Sequence, residues 1–209
     1  KVRIARAGTL PAPERPILLA ELEVDTDHGC HCFQLPLGGL PEEAGASAVQ
    51  QQLALARLRR GRQMGILTDA FTLPSFAHAI LAQLRADAVI PSEGGDVRFL
   101  PTSRLQALDL AADAEVRLLS AEQSNSSLGI GEKVILKLIR RISAGLHPEA
   151  EMGRELTERG FANIAPLLGE VSRFNAEGEP HVLMVLQEFL HNQGDAWSWT
   201  QNMLERAIR

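Results

Sequence analysis

Polar and apolar positions alternate in short runs through the first hundred residues, with turn chemistry between them. Residues 16–25 (PILLAELEVD) alternate toward their end, and Asp25-Thr-Asp-His-Gly29 reads as a turn. His31, Phe33, Leu35 and Leu37 then recur at period two, so the pattern predicts a hairpin. A polar, Gly-rich loop covers residues 38–45. Residues 50–60 (QQQLALARLRR) have helix-forming composition, and residues 64–71 look extended. Leu73-Pro74-Ser75 opens a helix with Pro74 in its first turn, and Phe76, Ile80 and Leu84 make one apolar stripe suited to cover a sheet. A Gly94-Gly95 turn, a strand over 97–100 and a loop to 115 follow.

The second half predicts strand, strand, strand, helix, strand, strand. Residues 116–120, 128–130 and 134–139 (VILKLI) are the first three strands, with a polar loop at 121–127 (AEQSNSS) and a Gly131-Glu132-Lys133 turn. His147-Pro148 starts a helix that runs to about Arg159 and ends at Gly160. Residues 164–173 and 182–190 form the last two strands. Asp195 is placed to cap a final helix with Trp197, Thr200, Leu204 and Ile208 on one seam. There is no internal repeat, and the order of elements predicts an α+β fold.

Composition narrows the function classes. With 45% hydrophobic and 22% charged residues among 209, the chain is expected to fold, as one large or two small units. Its 26 Asp plus Glu outweigh 21 Lys plus Arg, a net charge of −5, which argues against a nucleic-acid or anionic-membrane surface. No apolar run approaches the ~18 residues of a membrane span. Two cysteines, Cys30 and Cys32, are too close together for an easy disulfide, so a reducing cytoplasm is the default location. The chain opens on Lys without a leader pattern, so a piece of a longer protein is expected. His28, Cys30, His31 and Cys32 offer four metal donors in five residues. On a strand they split between two faces, and no second cluster completes a tetrahedron, so small buried thiols are the plainer reading and no metal is expected.

Lys137 stands inside the apolar VILKLI run, where an ammonium needs an acid partner, a phosphate or a route to water. A Ser-rich hairpin loop lies upstream, and downstream a helix carries Glu151, Glu155 and Glu158. Kinase-like small lobes hold ATP with parts in this order: a hairpin lays backbone N–H groups over the phosphates, a strand lysine grips them, and a helix carboxylate orients the lysine.

Four segments carry a more specific resemblance: Ala121-Glu-Gln-Ser-Asn-Ser-Ser127, Val134-Ile-Leu-Lys-Leu-Ile-Arg-Arg141, residues 151–161 (EMGRELTERGF) and residues 186–197 (LQEFLHNQGDAW). Together they resemble the bacterial maltokinases, including those fused to trehalose synthase. The resemblance is strong after Glu122 and thin before it. It implies a β-rich N-terminal cap domain over 1–115, then a kinase-like small lobe over 116–190, an antiparallel sheet with one helix packed on it. Residues 191–209 would be a connector helix toward a large lobe. It further implies that Lys137 is the phosphate lysine with Glu151 as its partner in preference to Glu155. Gln123, Ser124, Asn125, Ser126 and Ser127 would form the phosphate-covering loop, and Gly129 and Gly131 partly replace the usual glycines. Ile135 and Met184 would wall the adenine pocket, and Glu188 and Leu190 would offer backbone groups to the base. ATP is the implied nucleotide and maltose the acceptor, giving maltose 1-phosphate. The resemblance places the catalytic aspartate and the Mg²⁺ ligands in the large lobe, so no catalytic residue is assigned here and the chain alone is expected to be inactive. Alternative readings are a non-catalytic kinase-like interaction domain of a trehalose synthase fusion, and a kinase for another sugar or small-molecule hydroxyl.

Overall fold

The computed structural model describes residues 1–121, 125–191 and 196–208, with the backbone alone at positions 120, 121 and 125. Its strands are β1 (Val2–Leu10), β2 (Ile17–Thr26), β3 (Gly29–Pro41), β4 (Ala54–Arg60), β5 (Gln63–Asp69), β6 (Val89–Ser92), β7 (Gly95–Pro101), β8 (Val116–Ala121), β9 (Asn125–Ile130), β10 (Val134–Ile139), β11 (Arg141–Ile142), β12 (Leu167–Phe174) and β13 (Pro180–Glu188). The helices are α1 (Ala48–Gln52), α2 (Pro74–Arg85), α3 (Ser103–Ala107), α4 (Pro148–Glu158) and α5 (Ala196–Ile208). The cap expected at Asp195 lies outside the described residues.

All these strands belong to one 13-stranded sheet in the order β4-β5-β3-β2-β1-β6-β7-β12-β13-β10-β9-β8, and β11 pairs with β3. Because β11 continues directly from β10, the sheet curls until its second half meets its first. Glu21 on β2 and Arg173 on β12 confirm the curl. Several strands separate them along the sheet, yet they form an ion pair across the interior, with side chains 6% and 2% exposed.

This overturns the expected cap followed by a separate sheet with one helix packed on it. β7, from the first half, pairs with β12 over six residues, from Gly169 opposite Pro101 to Phe174 opposite Asp96. A single core also runs through both halves. Leu10, Phe71, Phe76, Ile80 and Phe99 pack in the same cluster as Leu128, Val134, Leu136, Met184 and Leu186. Each fully buried side chain of this size contributes about 1.5–3 kcal/mol, so neither half would keep its stability with that surface opened to water.

Most local patterns form as their residues suggest. β2 and β3 make the expected hairpin, and α2 buries Phe76, Ile80 and Leu84 against β7 and β12. The helix-forming run at 50–60 is different. Ser47 caps only the short α1 through a capping box with Gln50, and the chain then turns extended as β4, paired to β5. Cross-strand pairing overrides a modest helix propensity there.

Candidate nucleotide site

Period two divides β10 between two faces. Val134, Leu136 and Leu138 are fully buried in the core, whereas Ile135 and Lys137 are part-exposed on the opposite face. Register extends this second face: Ile135 lies opposite Gly129 and Gln187, and Lys137 opposite Ser127 and Val185. On the neighbouring strand Arg117 lies opposite Gly129. An open cleft of about 510 Å³ occupies the end of this face, lined by Arg117, Leu119, Gly129, Gly131, Phe189 and His191, among others.

Gly129 matters through what it omits, since a Cβ there would come within 3.2 Å of Leu119 and push that side chain over the cleft. Gly131 takes φ +56°, which lets the chain reverse while its N–H donates to the Glu115 carbonyl. Arg117 grips Glu115 with two nitrogens, at 3.0 and 2.9 Å, and reaches Glu132 at 3.1 Å. These hydrogen bonds and charge hold the Glu115 carboxyl below the ordinary carboxylate range. Phe189 and His191 stack edge to face with ring centres 4.9 Å apart.

Lys137 donates to a carboxylate from α4, and that carboxylate is Glu149. This corrects the expected pairing with Glu151. The expectation rested on the resemblance, which put the acid at Glu151, while a helical stripe through Met152 and Leu156 leaned toward Glu155; α4 instead buries Ala150 and Gly153, and Met152 is 54% exposed. Glu149, next to Ala150, flanks the buried face, while Glu151 and Glu155 turn to solvent. Glu155 instead pairs with Arg159 one turn later. His147 fixes the start of the helix, its Nδ1 accepting from the Glu149 N–H.

The other expected site residues separate. Ser127 faces the cleft side opposite Lys137. Ser126 points the other way, 7% exposed, and its hydroxyl accepts from Arg140 Nε at 3.0 Å. Arg140 also reaches Asp69 at 2.6 Å, so that serine helps fasten the hairpin to the first half of the chain. Asn125 belongs to β9, opposite Ile139, and not to a free loop. Gln123 and Ser124 lie outside the described residues. Glu188 ends β13, its N–H bonded to the Pro166 carbonyl and its side chain held by Arg104 at 3.1 Å. Leu190 follows it, 48% exposed. Met184 does not wall the cleft: it is fully buried in the core on the opposite face, opposite Leu138.

Leu119, Phe189 and His191 are cleft residues that the sequence reasoning missed. Phe189 and His191 lay inside the LQEFLHNQGDAW segment, whose aromatic and imidazole rings at i and i+2 could have marked one side of a binding face. Leu119 had no such signal, because an exposed leucine in a strand looks like any core leucine until the register shift that sets it over Gly129 is known.

No family model matches the chain. In fold it is similar to a glucosamine kinase solved in complex with glucosamine, ADP and inorganic phosphate, with a TM-score of 0.59 and 15% identity over 95% of this chain and 38% of that one. Crystal form A of glucosamine kinase gives 0.58 and 16%, covering 95% and 37%. The chain thus spans less than two-fifths of the length of these neighbours, and its fold is similar to that of the part it matches.

Proposed function

We propose that this chain is the nucleotide-holding part of an ATP-dependent sugar kinase. The observation that carries the reading is the placement of Lys137. It stands part-exposed on the face of β10 whose register runs through Ile135 to the cleft residue Gly129, and is tethered to a helix carboxylate, while the opposite face is sealed into the core. An ammonium so placed can meet the phosphates of a nucleotide whose base enters the cleft between Leu119, Ile135 and the Phe189–His191 pair. Ser127, opposite Lys137, borders the phosphates, and the glucosamine kinase similar in fold was solved with ADP.

In the complete reaction a sugar hydroxyl oxygen bonds to the γ-phosphorus, the bond to the β–γ bridging oxygen breaks, ADP leaves, and a base takes the hydroxyl proton. Catalysis of this kind is mostly positioning and charge neutralisation. The chain's share is to hold the α and β phosphates on Lys137. Among the described residues no three carboxylate, imidazole or thiol groups gather as a metal site. For the acceptor, the sequence resemblance favours maltose, with maltose 1-phosphate as product, while the fold neighbours are kinases of glucosamine.

Calorimetric titration of the 209-residue chain with ATP tests the reading. The wild type is expected to bind, and Lys137→Met to weaken binding at least about tenfold, roughly 1.4 kcal/mol. No binding by the wild type, or equal binding by the variant, would refute the assignment. In the full-length protein, a coupled assay of ADP release with maltose and glucosamine side by side decides the acceptor.

A further inference from the structure

Far from the cleft, β4 ends the sheet, paired on one side to β5 and, among the described residues, to nothing on the other. All seven of its residues are exposed. Such an edge presents a row of unpaired backbone donors and acceptors, a template for one more strand. The β4–β5 hairpin carries Arg57, Arg59, Arg60 and Arg62 around a two-residue turn where Gly61 takes φ +63°, and no acid occurs between Glu43 and Asp69. Among the described residues none of these four arginines is in an ion pair; Arg59 Nε bonds only the Gly61 carbonyl, at 3.0 Å. In a chain of net charge −5 the hairpin is a concentrated positive element.

Charges on an edge strand can simply discourage pairing. This edge also exposes apolar side chains that such protection would hide: Leu55 is 57%, Leu58 39% and Met64 42% exposed. An open cleft of about 710 Å³ runs beside it, lined by Leu40, Leu55, Met64 and Ile66 together with Arg57 and, at its β3 end, Glu42. Edge, pocket and charge lie together, and that is the arrangement for adding an extended peptide: main-chain bonds supply affinity and the pocket takes alternate side chains.

We propose that β4 is a docking edge for an extended acidic segment of a partner protein, with apolar side chains entering the Leu40–Leu55–Met64–Ile66 cleft and carboxylates meeting Arg57 and Arg59. Charge selects this occupant. A second copy pairing antiparallel through the same edge would set arginine against arginine. A single-stranded nucleic acid would want aromatic platforms, and residues 46–68 contain no aromatic residue.

The probe is a fluorescein-labelled eight-residue peptide, Val-Thr-Glu-Thr-Glu-Thr-Val-Thr, whose Val and Glu share one face, as Arg57 and Arg59 share a face with Ile66 and Met64; binding to the 209-residue chain is followed by anisotropy. The peptide is expected to bind, and binding should weaken at least about tenfold in the exposed double variant Arg57→Glu, Arg59→Glu, whose fold is checked by an unchanged melting curve. A peptide with Lys in place of Glu, and one with Pro at alternate positions, should both fail. Absence of binding, or equal binding by the Pro peptide, would overturn the proposal. So would tighter binding of labelled oligo-dT, which would mark the hairpin as a polyanion site.

Discussion

The tether on Lys137 yields the most direct prediction. Both candidate acids, Glu149 and Glu151, sit in the first turn of α4, so each is favoured by the helix dipole by about 0.3–1 kcal/mol. Replacing either with Gln removes that contribution to a similar extent. The difference between Glu149→Gln and Glu151→Gln therefore isolates the ion pair with Lys137. Two unit charges about 4 Å apart attract by about 4 kcal/mol at an effective dielectric of 20. Side chains 29% and 25% exposed lose part of that attraction to desolvation and to the ordering of the lysine. A net value of about 1 kcal/mol remains, near the upper end for exposed pairs.

Urea unfolding of Glu149→Gln, Glu151→Gln, Lys137→Met and the double variant Lys137→Met, Glu149→Gln measures it. Glu149→Gln is expected to cost about 1 kcal/mol more than Glu151→Gln, and the cycle with Lys137 to give a coupling of about 1 kcal/mol. Coupling of Lys137 to Glu151 instead would show that the pair forms two residues further along the helix, and equal losses at the two glutamates would show that Glu149 makes no such pair. The reasoning from the buried Ala150–Gly153 face would then fail.

Two further predictions concern Glu21 and the side chains that meet it. Arg173→Met should destabilise by about 3 kcal/mol in urea because it leaves the buried Glu21 carboxylate with only the longer contact to Arg6, at 3.6 Å, and adding Glu21→Leu should recover much of the loss. Burial and the Glu21 carboxylate raise the Cys32 thiol from 9.0 to about 11. At pH 8 about one Cys32 in a thousand is then thiolate, so iodoacetamide should label Cys30 first even though its own thiol is also raised, chiefly by its hydrogen bond with Asp25. Because the raised value favours the neutral folded thiol, the stability it adds is present below pH 9 and fades as pH climbs through about 11. A Cys32→Ser variant should lack that alkaline slope.

What the sequence disclosed and what it withheld divide by distance along the chain. Lys137 was conspicuous because charge inside VILKLI is costly without a reason, and that is a local fact about six residues. Hairpins such as β2–β3 were legible for the same reason, since a turn fixes the register of its flanks. The bond between β7 and β12 joins residues about seventy positions apart, and nothing in GDVRFLP names LLGEVSRF as its neighbour. Without that pairing the first hundred residues read as a separate cap. Arg140 shows how an error of this kind spreads to the site. The resemblance placed Ser126 on the phosphates, yet its hydroxyl accepts from Arg140, whose other nitrogen holds Asp69 at the end of β5. The two halves meet through that arginine, so a serine facing the seam serves the junction, and the neighbouring Ser127, one residue along, lies on the opposite face across from Lys137. The faces of β9 were written in its sequence, but which face met the first half depended on a strand pairing that only the folded chain reveals.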